Sequence, residues 1–262
     1  MSAAGESRRP RRAGRIVGGA LAGLLVVVVL IGVVFLAWAH TLFMGERPAA
    51  LDAWRDDAVE IRSIGPGPAD GFMITPSEPS GDGLVFLPGA RVDPAAYLWK
   101  LSGVAEASGL TIVVPKLALN LAFFDTRPIE AYTAYAPEVS NWYAGGHSLG
   151  GVRACQLAGA DGAAEAGVVG VILFGSYCAN DLSDSGLTAL TLAGEFDGLS
   201  TPEDIEASAG NLPDDAVTVL LEGVNHASFG DYGPQPGDGT ATVDSDTARD
   251  EIATAVADAL AD

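Results

Sequence analysis

Histidine and cysteine are scarce in this chain: 262 residues hold three His and two Cys. His40, His147, His226, Cys155 and Cys178 are too few and too scattered for a metal cluster of imidazole and thiolate ligands. No metal or other cofactor is expected. Basic residues are scarce too, 14 Lys+Arg against 34 Asp+Glu, for a net charge of −20. Five of the cations, Arg8, Arg9, Arg11, Arg12 and Arg15, share the first 45 residues with one acid, Glu6, so that stretch carries +4. The remainder has nine basic and 33 acidic residues and carries −24. A body this acidic is repelled by phosphate backbones, which excludes nucleic acid as a partner. The charge describes a solvated, self-repelling surface and says little about fold. Internal repeats, coiled-coil heptads and low-complexity tracts are also missing.

Beyond its first 15 residues, the amino-terminal segment lacks charge. After a basic tail over residues 1–15, in which Ser7–Arg12 is expected to have no fixed structure, Ile16–Ala39 runs 24 residues without a charged side chain. At 1.5 Å per residue such a helix is ~36 Å long, against a hydrocarbon core of ~30 Å. The arginine flank predicts a cytoplasmic amino terminus and a body outside it. A cleaved signal peptide, with Ala37-Trp38-Ala39 as its cleavage site, is the rival reading. The apolar run exceeds the usual 7–15 residues of a signal core, which favours an uncleaved signal anchor. Either reading puts the body outside the cytoplasm. Residues 40–57 read as a juxtamembrane linker, with His40 at the interface.

From residue 58 onward short β-rich runs alternate with helical stretches. Eight strands are predicted, at 59–64, 72–75, 84–87, 110–114, 141–144, 168–174, 189–193 and 217–221. Helices are predicted at 94–107, 129–139, 149–158, 202–209 and 246–260. Gly65-Pro66-Gly67-Pro68 is too short for a crossover helix, so the first two strands should pair as an antiparallel hairpin. The later strands are continuous apolar runs separated by helices, the pattern of a parallel sheet covered on both faces. The whole of 58–262 is expected to be one α/β domain.

The stretch Trp142-Tyr143-Ala144-Gly145-Gly146-His147-Ser148-Leu149-Gly150-Gly151 reads as strand, glycine turn, helix. Gly146-x-Ser148-x-Gly150 is a nucleophile-elbow pattern, in which a sharp turn raises a serine hydroxyl above the end of a sheet. A Cβ on either flanking glycine would collide with the neighbouring backbone. In a chain with 33 glycines the pattern is cheap, and only its context gives it meaning. That context is an α/β body, a hairpin first, and the elbow after the fifth of eight strands. Phe86-Leu87-Pro88-Gly89-Ala90-Arg91-Val92-Asp93, Ala193-Gly194-Glu195-Phe196-Asp197-Gly198 and Gly223-Val224-Asn225-His226 accompany it in order. Together these segments resemble the α/β-hydrolase fold over nearly all of 58–262. They look like the small, dienelactone-hydrolase-like bacterial serine hydrolases, among which are members with an amino-terminal membrane anchor.

The resemblance implies a triad in the chain order Ser, acid, His. A serine hydroxyl needs a base within hydrogen-bond reach, and the base needs an orienting carboxylate. His40 lies beside the apolar span, and His147 is expected to point away from the nucleophile at the turn. That leaves His226, past the last strand, as the base. The family position of the acid falls on Asp197, with Glu195 as local rival and Asp231 a weaker candidate because it follows His226. Oxyanion donors are expected at the backbone N–H of Leu149 and in the loop after the third strand. Relatives often carry His-Gly there; this chain has Pro88-Gly89-Ala90-Arg91, and Ala90 is chosen over Arg91.

Cys155 and Cys178 either pair in an oxidising compartment or remain buried thiols. Asp231 and Asp238 read as turn residues rather than calcium ligands. Only about a dozen residues connect the sixth and seventh strands, too few for an inserted lid. Tyr177, Phe123 and Phe124 are candidates for lining an open pocket, and each suits a core position equally well. Two functions follow: a membrane-tethered serine hydrolase acting on a small or polymer-borne ester, or a catalytically silent module of the same fold that binds at the cell surface. Composition and motif do not separate carboxylesters from lactones, thioesters or peptides.

Overall fold

A computed structural model describes residues 10–67 and 70–261. Most of the basic tail (1–9), and Pro68 of the expected hairpin turn, lie outside those residues. The chain divides into two units between Thr41 and Leu42. The first holds one helix, α1 (Pro10–Ala39), which begins inside the stretch expected to lack structure and contains the apolar segment Ile16–Ala39 with mean hydropathy 3.1. It is long and apolar enough to cross a membrane. At its end the His40 ring meets the Leu36 carbonyl through Nδ1 at 2.9 Å.

The second unit contains one eight-stranded sheet, and all eight predicted strands are present: β1 (Val59–Ser63), β2 (Gly71–Pro76), β3 (Asp82–Leu87), β4 (Thr111–Pro115), β5 (Asn141–His147), β6 (Val168–Phe174), β7 (Thr188–Gly194) and β8 (Val217–Leu221). Their spatial order is β1-β2-β4-β3-β5-β6-β7-β8. β1 and β2 pair antiparallel, with Ile61 opposite Ile74, and β2 pairs antiparallel with β4. Every later pairing is parallel. The direction of winding reverses between β3 and β5, and in open α/β sheets ligands sit at the carboxyl ends of strands at such a reversal.

Side-chain alternation explains the continuous apolar runs. Leu84, Phe86, Ile172 and Phe174 enter one buried cluster, with Leu98, Leu101, Ile252 and Val256. Their neighbours Val85, Leu87, Val171 and Leu173 enter the other, with Tyr132, Trp142, Ala154 and Leu157. The first cluster is capped by α3 (Leu98–Ser108) and α7 (Ser245–Ala261), the second by α5 (Leu149–Ala158). The Arg249 guanidinium of α7 lies 4.2 Å over the Trp99 ring of α3. It also bonds Asp56 and Glu106, each at 3.0 Å.

Two predicted stretches differ. The helix expected over 129–139 is only α4 (Glu130–Thr133), followed by tightened turns in which Tyr135 and Ala136 donate three residues back. Pro137 accounts for the stop, since it disfavours helical geometry at the residue before it and has no N–H to donate. Of residues 40–57, read as a linker, 42–57 belong to the second unit and carry α2 (Arg47–Ala53), whose Ala53 is buried in the first cluster. The remaining helix, α6 (Pro202–Ser208), starts with a Thr201–Asp204 capping box.

Candidate active site

Ser148 joins β5 to α5 with φ 52° and ψ −125°. A non-glycine residue there costs about 1–3 kcal/mol and persists only where its surroundings hold it. They do so through both backbone groups. The Ser148 N–H donates to the Phe174 carbonyl at 3.1 Å, and the Ser148 carbonyl accepts from the Ser176 hydroxyl at 2.7 Å. A Cβ on Gly146 would lie 2.5 Å from the Leu87 carbonyl oxygen, and one on Gly150 only 1.9 Å from it. The glycines of the elbow are therefore required by its contact with the end of β3.

The three acid candidates have different partners. Asp197, in the turn after β7, meets His226 Nδ1 through Oδ2 at 2.7 Å, and both side chains are buried. Its Oδ1 accepts from the N–H groups of Leu199 (2.8 Å) and Ser200 (2.7 Å). Gly175 makes room for it, since a Cβ there would stand 2.8 Å from Asp197 Oδ2. Glu195 is exposed and accepts from the Gly223 N–H instead. Asp231 pairs with buried Lys100 at 2.6 Å and accepts from the Ser245 hydroxyl. Only Asp197 can fix the tautomer and orientation of the His226 ring. His226 Nε2 is buried and makes no hydrogen bond among the described residues, so the Ser148–His226 bond is not formed in this geometry. Such bonds are often long before substrate arrives.

His147 departs from expectation. It was expected to turn away from the site, yet its ring packs 4.3 Å from that of His226, centroid to centroid. Strand alternation would separate neighbouring side chains, but alternation ends at Ser148, where the backbone leaves the strand. Burial, followed by the nearby His226 charge, holds the His147 pKa well below its usual value, so the ring is neutral. Its Nδ1 meets the Tyr97 hydroxyl at 2.9 Å, and that hydroxyl accepts from the Gly89 N–H at 2.9 Å. Burial raises the Tyr97 pKa, so the phenol keeps its proton and donates it to Nδ1.

This bond ties up Gly89 in the loop after β3. The Arg91 N–H donates to the Asn120 carbonyl at 2.8 Å. Between them, the Ala90 N–H makes no hydrogen bond among the described residues. Arg91, Leu119 and Asn120 have φ values of 60°, 53° and 56°, so both loops of this clasp are strained, as Ser148 is. On the other side, Leu149 is the first residue of α5, where backbone N–H groups have no partner within the helix.

Phe123 and Phe124 are 56 % and 50 % exposed, so neither is a core residue, and Tyr177 is half-buried. Residues 175–187 between β6 and β7 contain no helix. Cys155 of α5 and Cys178 of that connection form a disulfide, which ties the helix after Ser148 to the loop after β6. Among the described residues, no three His, Cys, Asp or Glu side chains are grouped as a metal site requires. Sequence reasoning missed Tyr97, Asn120 and Gly175. Asn120 carried a weak signal, as Asn tolerates left-handed backbone better than most residues.

Comparison with known proteins agrees with this architecture. A family model described as "Alpha/beta hydrolase family" matches residues 83–250. The structure titled EstE5-PMSF is similar to this chain with a TM-score of 0.53 at 10% identity, covering 82% of this chain and 90% of its own. A hormone-sensitive lipase from a metagenome library gives 0.51 at 13% identity, covering 81% and 91%. A thermostable esterase from Pseudomonas putida ECU1011 gives 0.51 at 14%, covering 82% and 88%. No curated protein matches the chain. At these identities the solved structures speak for the fold, and the family model spans well over half the chain. The chain belongs to the alpha/beta hydrolase family.

Proposed function

We propose that this protein is a serine hydrolase that cleaves a carboxylic ester through an acyl-enzyme, with Ser148 as nucleophile, His226 as base and Asp197 as its orienting acid. The observation that carries the reading is the 2.7 Å contact from Asp197 to His226 Nδ1, which leaves Nε2 to exchange protons, with the ring 4.3 Å from that of His147, the residue before Ser148. In the first half-reaction Nε2 takes the Ser148 proton as Oγ attacks the ester carbonyl. The oxyanion is received by the N–H groups of Leu149 and Ala90, each worth about 3–4 kcal/mol to the transition state. The intermediate collapses, the C–O bond breaks, and the imidazolium protonates the departing alkoxide. In the second half-reaction a water molecule gives its proton to His226 and attacks the acyl carbon, and the acid leaves as Ser148 recovers its hydrogen. Phe123, Phe124 and Tyr177 are proposed to line the substrate pocket. The absence of helix in 175–187 supports an open site for a small or polymer-borne ester.

The body is proposed to lie outside the cytoplasm, held by α1 in a membrane. Support comes from the length and hydropathy of Ile16–Ala39, the arginine-rich flank, and the disulfide, which persists in oxidising compartments.

A fluorophosphonate probe tests the chemistry. It should label the wild type and not Ser148→Ala, whose kcat should fall by about 10⁶-fold. An unlabelled wild type would leave the silent binding module as the better reading. A series of p-nitrophenyl esters of rising chain length would then define the acyl preference. Protease added to intact cells should digest the body, and protection would refute the outward orientation.

A further inference from the structure

Asp238 makes contacts that a turn residue does not need. Its Oδ1 accepts from the backbone N–H groups of Gly198 (3.2 Å), His226 (3.1 Å) and Gly239 (2.8 Å), and its Oδ2 accepts from Ala227 (2.9 Å). Gly198 directly follows Asp197. One carboxylate thus holds both the turn that carries the acid and the turn that carries the base. The segment around it lies backbone on backbone against the acid turn. A Cβ on Gly239 would sit 2.0 Å from the Phe196 carbonyl oxygen, and one on Gly198 would sit 2.6 Å from that of Gly237. The Asn225 side-chain amide, next to His226, donates to the Gly239 carbonyl at 2.8 Å and closes the loop.

We propose that Asp238 is a positioning residue for the hydrolytic site. By gathering the N–H groups of Gly198 and His226 on one oxygen, it fixes the separation of the Asp197 and His226 backbones, and so the direction in which Nε2 points. The inference rests on the serine-hydrolase reading above. It also explains why the residue is an acid. Both carboxylate oxygens accept, and bonds to an ionised acceptor are the stronger kind. An asparagine would retain one acceptor and turn its NH₂ toward the Ala227 N–H, donor against donor.

The test uses the full chain in detergent, with Asp238→Asn and Asp238→Ala beside the wild type. Active sites are counted with a fluorophosphonate, so that kcat is expressed per competent site. Small misplacements of a reacting group can cost up to about 100-fold. The expected loss in kcat is therefore ~10-fold for Asp238→Asn and ~100-fold for Asp238→Ala, with KM within about twofold. The second-order rate of phosphonylation should fall in parallel. Partial rescue by asparagine separates positioning from a general loss of fold, which would reduce the number of sites and leave kcat per site intact. If both variants keep wild-type kcat per site, or if missing sites account for the whole loss, the proposal is overturned while the serine reading stands. A wild type that takes no label overturns both.

Discussion

The imidazole rings of His147 and His226 lie 4.3 Å apart, with their planes inclined at 45°. The residue before the proposed nucleophile thus forms one wall of the proposed base. Because His147 is held neutral, it presents no like charge when His226 takes up a proton. Through Tyr97 the same ring is joined to Gly89, and so to the loop that carries Ala90. The proposed base and the proposed oxyanion loop are thus connected through two buried side chains, His147 and Tyr97.

The buried, neutral state of His147 predicts a pH dependence of stability. Above its usual pKa of 6.5 the ring is neutral in both folded and unfolded chains. Below it the unfolded chain binds a proton that the folded ring refuses. Stability therefore falls as pH drops from 6.5 toward the lower folded value, by up to about 1.4 kcal/mol per pH unit. Urea midpoints measured from pH 7 to pH 5 should fall more steeply for the wild type than for His147→Gln. Equal slopes would mean that the ring is protonated in the folded state.

Tyr97→Phe removes the acceptor of the Gly89 N–H and the donor to His147 Nδ1 together. Each buried group left unpaired costs about 1–3 kcal/mol, so the unfolding free energy should drop by roughly 2 kcal/mol or more. Ester hydrolysis should lose kcat more than it gains in KM, since the loop holding Ala90 is loosened. A variant with wild-type denaturant midpoint and kcat would show that these two bonds are not made.

Asp197 and Asp231 can be separated by asparagine substitutions. Asp197→Asn should leave the fold intact and lower kcat by ~10⁴-fold, as expected when the base loses its orienting carboxylate. Asp231→Asn should do the reverse. It strips the counter-ion from Lys100, whose charged form burial already disfavours, and breaking such a pair costs about 3–5 kcal/mol. Its kcat per folded molecule should stay near wild type. Kinetics combined with denaturant titration on both variants checks the assignment.

The Cys155–Cys178 bond closes a loop with a sequence separation of 23. Loop-closure entropy assigns it about 3 kcal/mol. For a body of this size that corresponds to a fall of roughly 10 °C in Tm. Calorimetry should show that fall for the double Cys→Ala variant, and for the wild type in reductant. Reductant should not change the double variant further.

What could be read from the sequence was what one stretch of chain settles alone. The strands were legible because β3, β6 and their neighbours are buried on both faces and so are apolar without interruption. The elbow was legible because Gly146 and Gly150 flank Ser148 at fixed spacing. The remainder depended on contacts between distant stretches. Glu195 and Asp197 are two residues apart in one turn, and only the position of the His226 ring distinguishes them. His147 was misjudged because strand alternation was carried through a residue, Ser148, that breaks it. Asp238 was read as a turn residue because its partners lie 12 and 40 residues away, with no local trace in the chain. The segment 42–57 lacks a periodic apolar pattern, so α2 read as linker although Ala53 reaches the core.

Arg249 stacks on Trp99 of α3 and bonds Asp56, ahead of β1, while Ile252 and Val256 of the same helix sit in the core. Among the elements described, α7 leaves the ribosome last. Helix α7 ties the stretch ahead of β1 to the core through one arginine and two apolar side chains. Without α7, Ile252 and Val256 are missing from the first buried cluster, although α3 still covers that face of the sheet.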